Sequence, residues 1–123
     1  MKRLLAFAVT AAALHAGPAL GHGDDTVRHG GLVQVSGETR FELVTAADGA
    51  EVYLDQHGAA IPTAKLSGKL TVMSGSAKSE ARLEPAGNDK LVARGVKLAK
   101  GDKVIAVVTL ADKTTASARF VLK

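Results

Sequence analysis

The 123-residue chain has no cysteine and no tryptophan, and only one tyrosine, three phenylalanines and three prolines. Without cysteine there is no disulfide framework, so burial of apolar surface has to hold the fold together. Thiolate is also missing from the possible metal ligands. Imidazole, carboxylate, amine, backbone and thioether remain, a set that suits Cu(II) or Zn(II) better than a thiolate-selected Cu(I) site. The scarcity of aromatics removes the stacking faces used to read nucleic acid. Lys65, Lys69, Lys78, Lys97, Lys100 and Lys103 stand singly rather than in a basic run, which argues against a nucleic-acid partner. Met73 is the only methionine besides the initiator, and a lone strand methionine reads as packing.

The one long apolar run is at the start. Lys2 and Arg3 precede an Ala-rich stretch from Leu4 to Leu14, and Ala19-Leu20-Gly21 places small residues where a signal peptidase reads. The run is about half the ~20 residues needed to span a bilayer. The expectation is a cleaved signal peptide over residues 1–21 and an exported, periplasmic product with no membrane anchor. Removing residues 1–21 takes two of the 16 basic residues and none of the 12 acidic ones, leaving 14 against 12. Much of the basic character therefore belongs to the leader.

From Leu32 onward the periodicity is two. Phe41 and Leu43 alternate with Arg40 and Glu42, Val52 and Leu54 with Glu51, Tyr53 and Asp55, and Leu70 and Val72 with Lys69, Thr71 and Met73. Val104, Ala106, Val108 and Leu110 share a face, as do Ala116, Ala118, Phe120 and Leu122. Turn formers separate these runs: Ser36-Gly37, Asp48-Gly49, His57-Gly58, Ser74-Gly75, Ala86-Gly87-Asn88-Asp89 and Gly101-Asp102. Strands are predicted at 31–36, 39–46, 51–55, 66–73, 78–84, 90–97, 103–110 and 115–122. Pro62 marks residues 59–64 as a crossing loop, and residues 97–100 read as a short helical turn. The expected domain, residues 31–123, is all-β: an antiparallel, immunoglobulin-like sandwich of seven or eight strands, with a small barrel as the alternative.

Ligand-type residues concentrate between the leader and the first strand, in His22-Gly23-Asp24-Asp25-Thr26-Val27-Arg28-His29-Gly30-Gly31. Cleavage after Gly21 makes His22 the terminal residue, and its amine and imidazole can then chelate one metal ion. His29 adds a second imidazole. Asp24 and Asp25 offer oxygen, at most one of them coordinating because neighbouring side chains of an extended segment point apart. His57 is the third histidine of the processed chain. Its plain reading is a turn residue before Gly58, and in a simple meander that turn lies at the end away from the start of strand one. Only a folded-back N-terminal segment, or a sheet crossover, brings it near His29. Glu42 reads as solvated and Tyr53 as a surface or inter-strand aromatic. No Gly-x-Ser-x-Gly elbow, phosphate loop or zinc-protease helix is present, so no catalytic activity is expected.

The stretches His29-Gly30-Gly31, Phe41-Glu42-Leu43-Val44 and Tyr53-Leu54-Asp55-Gln56-His57-Gly58 resemble small periplasmic β-sandwich proteins associated with copper and heavy-metal resistance. They are also similar to an N-terminal module of the periplasmic adaptor proteins of heavy-metal efflux pumps. The resemblance covers about residues 22–60 and beyond them only the strand pattern. It implies export, a sandwich fold, His29 and His57 as motif positions, and metal handling beside an efflux system. The expected function is binding or buffering of Cu(II), then Zn(II), through His22, His29, His57, Asp24 and Asp25, with an efflux component as partner. The alternative is a non-catalytic accessory module of an envelope complex with no metal site.

Overall fold

The computed structural model describes residues 26–87 and 89–123. The leader, His22, Asp24 and Asp25 lie outside the described residues. Nine strands follow: β1 (Leu32–Ser36), β2 (Thr39–Ala46), β3 (Gly49–Gln56), β4 (Ala59–Ala60), β5 (Ser67–Ser74), β6 (Ala77–Pro85), β7 (Lys90–Arg94), β8 (Lys103–Thr109) and β9 (Thr115–Val121). Every pairing is antiparallel, in the order β1-β2-β3-β7-β6-β5-β8-β9, with β4 on the far end of β3. No helix occurs among the described residues.

The path is one continuous sheet that bends at β6. Most of that strand pairs with β5, while Glu84 and Pro85 pair with β7. The bend lays β1-β2-β3-β7 over β6-β5-β8-β9 and brings β9 back beside β1. The sheet is thus nearly closed. It follows the small-barrel alternative, since β6 pairs with both β5 and β7 and β9 returns beside β1, so the two layers are not independent sheets.

The inward residues are those the alternation assigns. Phe41, Leu43, Val52, Leu54, Leu70, Val72, Val104, Val108 and Phe120 are at most 2% exposed. Two irregular segments differ from expectation. Ala59 and Ala60 form a short strand because His57 (φ 54°) and Gly58 (φ 82°) make a two-residue turn with both central residues in the left-handed region, the geometry that suits the twist of a tight hairpin. Residues 97–99 form no helical turn, and the chain turns instead at 100–101. Asp102 closes the turn, its amide donating to the Ala99 carbonyl at 3.0 Å and its carboxylate accepting from the Ala99 amide at 2.9 Å.

Candidate functional site

The outer face of β2 and β3 carries Arg40, Glu42, Glu51, Tyr53 and Asp55. The hairpin register sets Arg40 opposite Asp55 and Glu42 opposite Tyr53, and the β3–β7 register sets Tyr53 opposite Lys90. An outward carboxylate on such a ladder is ordinarily wet. Glu42 is 0% exposed, which corrects the expectation of a solvated side chain. Its cover is the segment 26–31, which turns back across β2.

Glu42 holds that segment by its backbone. Oε1 accepts from the Arg28 amide at 3.0 Å and from Arg40 Nη2 at 3.0 Å, and Oε2 accepts from the His29 amide at 2.7 Å and the Gly31 amide at 3.0 Å. Two bonds to each oxygen fill the acceptor capacity of a carboxylate. Gly31 permits the approach. A Cβ there would lie 2.2 Å from the Leu43 carbonyl oxygen, so the glycine serves closeness to β2 rather than closeness to a ligand.

Side chains complete the clamp. The Arg28 guanidinium bonds Asp55, and Arg40 bonds both Asp55, at 3.2 Å, and the Thr26 carbonyl. Two cations and two carboxylates alternate, and no buried polar side-chain atom among the described residues lacks a partner. Burial alone would raise the Glu42 pKa, but the three amides and Arg40 outweigh it and hold the pKa below its usual 4.5.

That shift has a pH consequence. A carboxylate with a depressed folded-state pKa contributes stability that is complete above its unfolded value and is lost as pH falls through the folded one. The stability gap between the native protein and Glu42→Gln should therefore be widest near neutrality. It should narrow as pH drops below about 4.5. Urea melts at several pH values measure it, and a gap that stays constant down to pH ~3 would contradict the clamp's ionic character.

His29 rides on the clamped segment. Its ring stacks on Tyr53 with centroids 3.6 Å apart and planes 6° from parallel. Stacking uses the ring faces and leaves both nitrogens at the edge, on a residue that remains exposed. Lys90 ties Tyr53 into the sheet: its ammonium lies 5.9 Å from the Tyr53 centroid and 2.9 Å from Glu51 Oε2, while the Tyr53 hydroxyl donates to Glu51 Oε1 at 3.2 Å. The Lys90 hydrogen bond lowers the Glu51 pKa; burial and then the Glu51 charge raise that of Tyr53.

No family model, curated protein or solved structure matches this chain. The site therefore has to be read from its own chemistry. The segment does fold back, and a cleft of about 160 Å³ brings Arg28, His29, Tyr53 and Asp89 together with Gly58 of the β3–β4 turn. His57 itself does not line this cleft. Its Nε2 lies 3.3 Å from Glu38 Oε1 on the exposed β1–β2 turn. The fold thus brings the His57 turn to His29 without bringing the two imidazoles into one site.

Among the described residues no three His, Asp or Glu side chains form a metal-holding group. His29 fits a metal as one oriented nitrogen donor, and further donors of the expected shell, His22, Asp24 and Asp25, belong to the undescribed stretch before it. Sequence reasoning missed Arg28, Arg40, Glu42, Tyr53 and Asp55. The hairpin register pairs Arg40 with Asp55 and Glu42 with Tyr53, whereas Arg28 joins them only because segment 26–31 folds back, which no periodicity signals.

Proposed function

We propose that this protein is a non-catalytic, transition-metal-binding β-barrel of the bacterial periplasm that takes Cu(II) ahead of Zn(II) for a metal efflux or buffering system. One observation carries the reading: the clamped segment 26–31 holds an exposed imidazole, His29, in a fixed stack on Tyr53, directly after a run containing His22, Asp24 and Asp25. An imidazole with its edge in solvent and its plane fixed is a ligand whose ordering cost is already met by the fold. Nitrogen donors favour copper in the general affinity order. A terminal His22, freed by cleavage after Gly21, would add an amine and a second imidazole. His57 stands outside this group and is a minor contributor.

Tyr53 supplies the assay. It is the chain's only tyrosine and there is no tryptophan, so intrinsic fluorescence reports the surroundings of Tyr53, the His29 stack among them. Titrating the processed protein with Cu(II) should quench it, with a Kd tighter than ~10 μM. His29→Ala should weaken binding about tenfold or more, roughly 1.4 kcal/mol, and His57→Ala should weaken it less. Absence of Cu(II) and Zn(II) binding at that level would leave the accessory-module reading in its place.

A further inference from the structure

We propose that two copies of this chain pair edge to edge through β6, antiparallel and about a two-fold axis beside Ser79, so that two barrels share one continuous sheet. The inference stands apart from the metal-binding reading. Residues Ala77–Leu83 pair with β5 on one edge of β6, while β7 takes the opposite edge only at Glu84 and Pro85. Among the described residues that opposite edge has no strand partner before Glu84. The ends of the sheet, β1 and β9, lie against each other within the barrel. Ala77, Lys78, Ser79 and Glu80 are all exposed. An unpaired strand edge presents a row of backbone donors and acceptors to any strand that fits it.

Charge selects both the occupant and the register. Charges on an edge strand ordinarily keep other strands away, but on β6 their signs alternate. Ala81 and Leu83 are opposite Leu70 and Gly68 of β5 and share the inner face with Ala77 and Ser79, which leaves Lys78, Glu80 and Arg82 on the outer face. Antiparallel partners keep their side chains on one face, so the axis must pass beside a residue that faces its own copy. At Ser79, each Lys78 faces Glu80 of the second copy, twice by symmetry. Like charges then meet only along the diagonals, at ~7–8 Å against ~5 Å for the direct pairs. On the inner face Ala77 meets Ala81 and Ser79 meets Ser79, with no bulky group in the way. The second copy's strand begins at its Ala77, opposite Ala81, so the new ladder ends before β7 takes the edge. Other registers fail. An axis at Lys78 or Glu80 sets that charge against itself, and the latter also sets Lys78 against Arg82. An axis at Ala81 brings the second copy onto Pro85, where Leu91 of β7 already sits. In the single copy Glu80 lies 3.1 Å from Lys69 and 3.7 Å from its own Lys78. These are exposed pairs that cost little to exchange.

Sedimentation equilibrium of the processed protein tests the pairing. So short a ladder buries less area than a stable interface needs, so the association is weak and is read at about 0.1–1 mM protein. A monomer–dimer equilibrium is expected there. Hydrogen-exchange protection should rise with concentration at alternate amides of residues 77–81 and stay constant at Val104, whose strand is paired on both sides. Lys78→Glu and Glu80→Lys each turn both attractive pairs into repulsive ones, and each should weaken dimerisation about tenfold or more. The two substitutions together exchange the charges and should restore it. Both side chains are exposed, at 59% and 41%, so the barrel does not depend on either. A protein that stays monomeric at ~1 mM overturns the proposal. A dimer that ignores the single reversals, or that the double substitution does not restore, overturns the Ser79 register. Should a variant not fold, the native protein decides: dimerisation without added protection at residues 77–81 places the contact elsewhere and overturns the β6 pairing.

Discussion

Glu42→Ala is expected to cost the fold about 3 kcal/mol, the low end of what breaking a buried ion pair costs. The substitution removes the acceptor of three backbone amides and one of the two acceptors of Arg40 Nη2, which keeps its bond to the Thr26 carbonyl. Each buried donor left unpaired costs ~1–3 kcal/mol. A sum over the three amides would overestimate the loss, because the segment has an escape. Residues 26–31 can lift away, returning the amides and Arg40 to water at the expense of the Tyr53 stack and the Arg28–Asp55 pair. The measured loss is the cheaper of the two routes. Lys90→Ala breaks a half-exposed pair with Glu51 and should cost no more than about 1 kcal/mol. Urea denaturation ranks the two variants, and a Glu42→Ala loss no larger than that of Lys90→Ala would show that the clamp does not stabilise the barrel.

This contrast also shows what the sequence can and cannot convey. Alternation places β2 at Thr39–Ala46 to the residue, because Phe41 and Leu43 must go in and the turns on either side are short. It equally says that Arg40 and Glu42 go out. It carries no information about what lies over them, since that depends on a segment without periodicity folding back across β2. Burial on both faces of one strand looks, in sequence, the same as burial on one.

Register was the second obstacle. Reading Asp48-Gly49 as the hairpin loop would pair Ala47 with Ala50 and so set Arg40 opposite His57. In the structure the loop is Ala47-Asp48, with Ala46 paired to Gly49 and Arg40 to Asp55. Moving a two-residue loop by one position shifts every cross-strand partner by two. The faces are unchanged and the apolar pattern is blind to it, but different charges meet. The Arg40–Asp55 pair and the Glu42–Tyr53 rung on which the site stands follow from the placement of that loop.

The largest loss is expected at Gly49, the glycine that ordinary turn reading assigns to the loop. It is the first residue of β3, at φ +150°, paired with Ala46 on one side and Arg94 on the other. A Cβ there would sit 1.8 Å from the Ala93 carbonyl oxygen and 2.8 Å from its carbon. Both atoms are β7 backbone, so no side-chain rotation relieves the clash. The β3–β7 ladder begins at this rung and is the join between the β1-β2-β3 part of the sheet and the remainder. The neighbouring bond from the Gly95 amide to the Asp48 carbonyl, at 2.9 Å, would be strained with it. Gly49→Ala should therefore cost about 4 kcal/mol or more, in the range reserved for specific steric failure. Gly58→Ala separates sterics from backbone conformation. Gly58 also has a positive φ, +82°, but nothing lies within 4 Å of its would-be Cβ, so only the left-handed penalty of about 1–2 kcal/mol applies. Thermal and urea melts of the two variants should differ by about 2 kcal/mol or more. Equal losses would mean that the sheet can part at Gly49 without consequence, and that the first rung of the β3–β7 ladder does not hold β1-β2-β3 to the rest of the sheet.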